Sequence, residues 1–320
     1  MRAYLIRRLV LIIPTLLLVS ILVFLTIRII PGSVIDAMVA EGAGQGSLGH
    51  TVDQQYIKHA LGLDEPVYVQ YWKWLTNVLR GDLGNSLWTG RSITQEMLAK
   101  LPISLELGIL AMIIGTVISL PIGLYSAVRQ DTLGDYAGRT VAVLMMSLPG
   151  FWIATIVIVF PSIWWGWTPS LKYIRFTEDP AGNLVQFVIP AVIMGASFAG
   201  GMMRMMRTLM LEVLRQDYIR TAWAKGLTER VVIMRHALKN AMIPVITMVG
   251  MGLPGLLAGN VIFEQVFNLP GVGRYMLDAI GRRDYPIICA TNLVIATAVL
   301  ICNVAVDVAY GWFDPRVQYH

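Results

Sequence analysis

The sequence has little charge and few cysteines or histidines. Only 14% of its 320 residues are charged, and it contains two cysteines and four histidines. Cys289 and Cys302 lie in one apolar run, about 20 Å apart if that run is a helix, which is beyond disulfide reach. The histidines show no HExxH or other paired spacing, so the sequence predicts no metal site.

Motifs of several catalytic classes are also missing. No GxxxxGK[ST] segment occurs, so the chain has no P-loop, and any ATP it depends on must be bound by another polypeptide. The stretch Gly44–Gly49 satisfies GxGxxG, but no apolar strand precedes it. No histidine lies in an apolar run and GxSxG is absent, which argues against an intramembrane protease of the rhomboid type.

Long apolar runs dominate the chain, which is 56% hydrophobic. Each run meets or exceeds the roughly 18 to 20 residues that cross a bilayer core as a helix. The sequence therefore predicts an all-α, polytopic membrane protein with six transmembrane helices. The first run is too long for a signal peptide and has no small-residue cleavage site after it, so we expect an uncleaved helix. The runs are Leu9–Ile27, Leu107–Val128, Thr140–Leu171, Ala181–Met203, Ala241–Phe263 and Tyr285–Val306.

These runs predict four parts of the chain. Residues 1–30 are expected to form a cytoplasmic N-terminus and the first helix, 31–102 a periplasmic segment, 103–310 a transmembrane core, and 311–320 a cytoplasmic tail. Basic residues precede helix 1 and follow helices 2 and 4, which places both termini in the cytoplasm. Within the periplasmic segment, Val67–Leu79 is predicted to be an amphipathic helix rich in Trp and Tyr. It would rest on the outer leaflet or cap the mouth of a pathway.

The strongest concentration of charge lies in the predicted cytoplasmic loop 204–243. From Arg204 to Asn240, eight basic residues stand against three acids. Ala222 and Gly226 lie one helical turn apart, and such small residues let another surface approach closely. A short helix pair here would present Trp223 and Leu227 to a soluble partner. An ordinary solvated loop is the alternative interpretation.

Small and polar residues within the apolar runs indicate a second candidate site. Helix 5 has the most glycines, and its Gly255-xxx-Gly259 pair permits close helix contact, although packing alone explains these glycines equally well. Polar residues inside membrane helices are functional candidates, but Glu264 is expected near the membrane interface, where its cost is small. The candidates for a pathway or gate are Gly252, Gly255, Gly259, Asn260, Glu264 and Asn303.

Short motifs follow one another in the order of a known family. They are Gly62-Leu-Asp-Glu-Pro66, Gly81-Asp-Leu-Gly84, Leu148-Pro-Gly-Phe-Trp152, Glu264-Gln-Val-Phe267, Asp314-Pro-Arg316 and, in the basic segment, the residues from Asp217 to Gly226. On these motifs the chain resembles the transmembrane permeases of bacterial ABC importers, and more narrowly the dipeptide/oligopeptide/nickel permeases. The resemblance implies the type I importer permease fold.

The resemblance also implies that the basic segment holds the EAA motif, whose short coupling helix docks on a cytoplasmic ATPase. Alignment on Gly226 places Arg220, Thr221 and Ala222 where the general motif has Glu-Ala-Ala, so the acid of the motif is absent here. The implied coupling residues are Asp217, Arg220, Thr221, Ala222, Trp223, Lys225, Gly226, Leu227, Arg235 and His236.

The partners implied by the resemblance are a second homologous permease, two ATPases that use ATP and Mg, and an extracytoplasmic substrate-binding protein, all at the bacterial inner membrane. The chain itself is expected to bind no cofactor or nucleic acid and to catalyse no reaction. Short peptides are the expected cargo, with nickel chelates, glutathione or oligosaccharides as alternatives. An ion-coupled carrier acting alone is the competing interpretation, but such carriers bury carboxylates near the midplane, and the helix centres here lack them.

Overall fold

The computed structural model describes residues 2–29, 64–170 and 172–313, except for the side chains of residues 2–9, 27–29, 253, 256–259 and 307–313. Predictions for residues 30–63, including the glycine-rich loop Gly44–Gly49, and for the tail 314–320 lie outside this part. The helices are α1 (Arg2–Ile29), α2 (Val67–Leu79), α3 (Ile93–Val128), α4 (Leu133–Ser147), α5 (Gly150–Trp165), α6 (Pro180–Leu214), α7 (Asp217–Ala224), α8 (Glu229–Val231), a π-helical segment (Val232–Ala237), α9 (Leu238–Val266), α10 (Val272–Arg282) and α11 (Tyr285–Phe313).

Among the described residues, four helical stretches are long and apolar enough to cross a membrane. They are Ile93–Val128, Pro180–Leu214, Glu229–Gly252 and Tyr285–Val306. The α4–α5 pair passes the same criterion as one broken span, and α1 contributes a shorter apolar stretch, Val10–Thr26. The chain is therefore an α-helical, multi-pass membrane protein.

The third apolar run, Thr140–Leu171, is not one straight helix. α4 and α5 meet at an angle of 90°. Leu148 adopts an extended backbone (ψ 125°) and Pro149 follows it with ψ 126°. A residue before proline is driven out of the helical region, and proline lacks the N–H that would continue the helix. The Leu148-Pro149 pair thus ends α4 and starts α5 in a new direction.

The chain divides into two compact units, and the first comprises Met1–Leu5, Ser104–Leu269 and Ile301–His320. In this unit α6 packs closely on α3 and α4. A Cβ atom added at Gly195 would lie 2.5 Å from the Ala111 carbonyl oxygen, and one at Gly200 would lie 2.6 Å from that of Ala142. Only glycine allows backbones to come this near, as is typical of membrane helices.

The second unit comprises Ile6–Ile103 and Pro270–Leu300. Its α2 has the bounds that the sequence predicts, and two of its aromatic residues pack inward. The ring centroids of Tyr71 and Trp74 lie 5.3 and 5.6 Å from that of Phe24 on α1, and the Tyr71 hydroxyl hydrogen-bonds with Ser20 Oγ at 2.8 Å. Tyr68 and Trp72 are exposed. α2 is therefore amphipathic, with one aromatic face fixed on α1.

Candidate functional site

The basic segment, which is the predicted cytoplasmic loop 204–243, contains a short helix, α7, that is anchored by one apolar face. Ile219 and Ala222 are both buried, and three residues apart they share a face of the helix. They belong to one core cluster with residues from α6 and from the segment after α7, including Met206, Met210, Val232 and Ala237. Ala222 faces the chain's own core at 7% exposure, so the surface that approaches it closely belongs to this chain.

The opposite face of α7, with the turn after it, is exposed. Trp223 is 45% exposed and Leu227 36%, so the two side chains are displayed as the sequence predicts. Polar and charged residues surround them, and all are exposed: Asp217, Arg220, Thr221 and Lys225. Arg220 Nη1 lies 3.4 Å from Asp217 Oδ1, and this exposed ion pair contributes little stability. The surface combines apolar anchors with cationic groups, the composition of a protein-docking patch.

Gly226 ends α7 in a left-handed turn. Its φ is +75°, its N–H donates to the Trp223 carbonyl at 2.9 Å, and the Leu227 N–H donates to the Ala222 carbonyl at 3.4 Å. This is the glycine-dependent closure of a helix C-terminus. A Cβ atom added at Gly226 would meet nothing within 4 Å. The requirement for glycine is therefore one of backbone conformation, not of space.

Within the basic segment, a π-helical segment, Val232–Ala237, leads into α9. Such segments are rare and often occur at functional sites. Within it Arg235 is exposed and His236 is half-buried. The Asn240 side-chain amide donates to the Tyr218 hydroxyl at 2.8 Å and to the His236 carbonyl at 3.0 Å. The bond to Tyr218 ties α7 to the start of α9.

A buried ion pair, which the sequence does not predict, joins α4 to α6 near the C-terminal end of α6, just before α7. Asp135 of α4 is fully buried and accepts hydrogen bonds from Arg207 Nε at 2.8 Å and Nη2 at 2.9 Å. Ser126 Oγ and the Asp131 N–H donate to the same carboxylate, and Arg139 Nε lies 3.4 Å away. The fork-like geometry is the strong form of an Arg–carboxylate pair. The pair fixes α4 against α6.

Two of the six candidates for a pathway or gate contact the same residue in the described part of the chain. Asn260 and Glu264 are buried and come together on α3, where Ser104 Oγ donates to Glu264 at 2.5 Å and the Asn260 amide donates to the Ser104 carbonyl at 2.6 Å. Glu264 is thus enclosed by protein, and its expected depth near the membrane interface stays a prediction. The remaining candidates differ: Gly252 faces the Phe198 ring, Gly255 faces open space, Asn303 is exposed, and the surroundings of Gly259 lie outside the described residues.

Comparison with protein families gives two matches that together cover nearly the whole chain. Residues 119–319 match the family described as "Binding-protein-dependent transport system inner membrane component". Residues 1–108 match the N-terminal family of the same transport systems.

Curated relatives align from end to end. The chain is 37% identical to the di/tripeptide transport system permease protein DppB of Pseudomonas aeruginosa, with 100% of this chain and 99% of that protein covered. A putative peptide transport system permease protein of Brucella abortus is also 37% identical, with both chains fully covered. The glutathione transport system permease protein GsiC of Salmonella paratyphi A is 36% identical over 99% of both chains.

Two solved structures share the fold. The inward-facing MetNI methionine ABC transporter aligns with a TM-score of 0.53 at 18% identity, covering 68% of this chain and 96% of that one. An amino acid ABC transporter with histidines gives a TM-score of 0.50 at 13% identity over 70% and 95%. At these identities the likeness concerns the fold, which is that of ABC transporter membrane subunits.

Proposed function

The chain belongs to the family of binding-protein-dependent transport system inner membrane components, and on that premise we propose that it is a permease subunit of an ATP-driven importer of short peptides. The observation that carries the proposal is α7, a short helix held to the bundle by Ile219 and Ala222 while Trp223 and Leu227 are displayed outward. A membrane protein that is driven by a soluble ATPase needs an element that transmits the movement of the ATPase to the membrane helices, and α7 is suited to this task. The peptide cargo follows from the names of full-length relatives at 37% identity.

The proposed assembly contains three kinds of partner protein. Two cytoplasmic ATPase subunits bind and hydrolyse ATP with Mg, and one of them docks on the exposed face of α7. A second homologous permease completes the passage, and an extracytoplasmic binding protein delivers the peptide. This chain performs no chemistry of its own; its part is to change conformation when the ATPases do.

α7 transmits the movement of the ATPases to the membrane helices through its contacts with α6 and α9. A ligand shifts a conformational equilibrium only by binding the two states differently, so the ATPases must hold α7 differently with and without ATP. Ile219 and Ala222 share a core cluster with Met206 and Met210 of α6, and Tyr218 is bonded to Asn240 of α9. Displacement of α7 is therefore passed to two spanning helices at once, and the passage alternates between outward and inward openings.

The proposed topology has six crossings with both termini in the cytoplasm. α1 and the bent pair α4–α5 supply two crossings beyond the four long apolar helices. This arrangement places α7 and the basic loop inside the cell, and α2 with the loop before α6 outside. The excess of Lys and Arg in the α7 region is the main support for this orientation.

Glutathione is the second candidate cargo, because GsiC is 36% identical over nearly the full length. The two candidates are separated by reconstituting the chain with its ATPases, partner permease and binding protein in proteoliposomes. We expect uptake of labelled dialanine that requires ATP on the ATPase side and is not displaced by excess glutathione. Uptake that runs on a proton gradient without any ATPase would overturn the importer function. Uptake of glutathione alone would overturn only the peptide cargo.

A further inference from the structure

The second unit contains a polar cavity that is not part of α7 or of the pathway candidates. It has a volume of about 160 Å³ and lies between the loop that precedes α3 and the helix α10. A single water needs only about 10 to 15 Å³ of such space, so the cavity has room for a small organic molecule. Its charged lining residues are Arg91, Glu96, Asp278, Arg282 and Asp284.

The walls of this cavity are fixed by hydrogen bonds. Asp284, 2% exposed, accepts from Ser86 Oγ at 2.6 Å and from the Leu87 N–H at 3.3 Å. On the other side of the loop, Trp88 Nε1 donates to the Arg282 carbonyl at 2.8 Å. The loop is thus joined to the end of α10 at two points. A preformed cavity loses little conformational freedom when a ligand enters, which favours binding.

Two groups of opposite charge at the cavity remain without ion-pair partners. Glu96 pairs with Lys100 at 3.4 Å and with Arg91 at 3.7 Å. By contrast, neither Asp278 nor Arg282 forms an ion pair with any residue in the described part of the chain, and both are exposed. They lie one turn apart on α10, where side chains are neighbours. An available carboxylate therefore stands beside an available guanidinium at the same cavity.

Tyr275 adds a neutral hydrogen-bonding group to the lining. Burial, together with the charges of Glu96 and Asp284, raises the pKa of Tyr275 to about 12. The phenol stays protonated near neutral pH and can donate. The Lys100 ammonium lies 5.2 Å from the centre of its ring, which restrains the ring.

We propose that this cavity binds a short peptide as a zwitterion, with Asp278 receiving the terminal ammonium and Arg282 the terminal carboxylate. A ligand with one charge would satisfy only one of these groups, whereas a zwitterion pairs both. The helix rises about 6 Å between positions 278 and 282. The two Cα atoms of a dipeptide are about 3.8 Å apart, with a terminal group beyond each, so its charged ends match this spacing. The inference rests on the proposed peptide function and adds a subsite for the cargo on the second unit.

The test is saturation-transfer NMR on the full-length chain in lipid nanodiscs, with L-alanyl-L-alanine as the ligand. We expect binding to the wild-type chain and a loss of affinity of about tenfold or more in Asp278→Asn and in Arg282→Gln, because each removes one charge-assisted hydrogen bond. N-acetyl-L-alanyl-L-alanine should be insensitive to Asp278→Asn. L-alanyl-L-alanine amide should be insensitive to Arg282→Gln.

Matched control variants come from α2 and the residues just before it, in the same unit. Lys73 and Glu65 form an exposed ion pair at 2.5 Å and do not line the cavity, so Lys73→Gln and Glu65→Gln should bind dialanine like the wild type. Absence of binding to the wild-type chain, or equal binding to the Asp278 and Arg282 variants, would overturn the proposal. A separate pull-down with the binding protein gives a further check. If the Asp278 and Arg282 variants bind dialanine like the wild type and lose only their capture of the binding protein, the proposal is overturned, since the cavity is then a protein-docking surface.

This experiment uses the chain without ATPases or binding protein. Failure of dialanine binding here leaves peptide uptake by the complete importer intact. Failure of uptake with binding retained contradicts the transport function instead.

Discussion

The carboxylate of Asp135 has no exposed surface, and its negative charge is stabilised by Arg207 of the neighbouring helix α6. The two side chains meet through two hydrogen bonds shorter than 3 Å. Removing Arg207 leaves the buried carboxylate with the more distant Arg139, 3.4 Å away, as its cationic partner. Breaking a buried pair in this way costs far more than the pair contributes when intact. The stability of the contact between α4 and α6 is therefore sensitive to either residue.

We predict that Arg207→Met lowers the free energy of unfolding by about 3–5 kcal/mol. Thermal unfolding of the chain in nanodiscs would measure the loss. Arg204→Met is the matched control, since Arg204 is exposed and its guanidinium donates to the Met146 sulfur at 3.7 Å instead of to a carboxylate; it should unfold like the wild type. The double variant Asp135→Leu with Arg207→Met should recover much of the loss. A single Arg207 variant with unchanged stability would contradict the role of the pair.

At Gly226 the requirement for glycine comes from the backbone conformation, so substitutions that differ in their tolerance of a left-handed backbone can test it. With φ at +75° and open space at the Cβ position, a side chain fits but strains the backbone unless it tolerates the left-handed region. We predict that Gly226→Val abolishes peptide uptake while ATP hydrolysis by the assembled importer continues. Gly226→Asn should retain most uptake, because asparagine accepts this conformation. Equal uptake by both variants and the wild type would count against a role of this turn in coupling.

At the scale of the element, the two faces of α7 have separate tasks. The buried face holds the helix to the bundle and the exposed face is available to a partner. A substitution on one face should therefore change a different measurement from a substitution on the other.

We predict that Ile219→Ala, at a site with no exposed surface, lowers the free energy of unfolding by about 2–5 kcal/mol through loss of buried volume. Trp223→Ala should leave the unfolding temperature unchanged but weaken co-purification of the ATPase subunits. The exposed Trp72 of α2 supplies the control, since Trp72→Ala should change neither. If Trp223→Ala retains full ATPase binding, the docking surface lies elsewhere.

The sequence predicts the helices well where periodicity and apolar length decide them. The bounds of α2 and the existence of four spanning helices follow from those patterns. The bend at Leu148-Pro149 is less predictable, since proline is tolerated inside other helices here, including Pro190 of α6. The Asp135–Arg207 pair could not be predicted, because its members are 72 residues apart in sequence and only the packing of α4 on α6 brings them together. Burial of Glu264 depends in the same way on the position of Ser104.

At the scale of the whole molecule, the orientation in the membrane is the feature on which the other assignments depend. The ATPases can reach α7 only if the basic segment is cytoplasmic, and a peptide can reach the Asp278–Arg282 cavity from outside only if α10 is periplasmic. Both follow from one orientation.

We predict that cysteines at positions 73 and 225 are labelled from opposite sides. In a chain with Cys289 and Cys302 replaced by alanine, a membrane-impermeant maleimide should react with Lys73→Cys in intact spheroplasts and with Lys225→Cys only in inverted vesicles. Lys225 is exposed and the Lys73 side chain is 62% exposed, so access does not limit either reaction. Labelling of both from the same side would refute the six-crossing topology.

The glycine contacts of α6 limit which helices can separate during transport. With Gly195 against the Ala111 carbonyl and Gly200 against that of Ala142, the main chain of α6 touches those of α3 and α4 without intervening side chains. Sliding α6 along either helix, or parting it from either, would open a void or force backbone atoms to collide. The three are best regarded as one stiff block, so that gating motion must be accommodated along boundaries lined by longer, more compliant side chains.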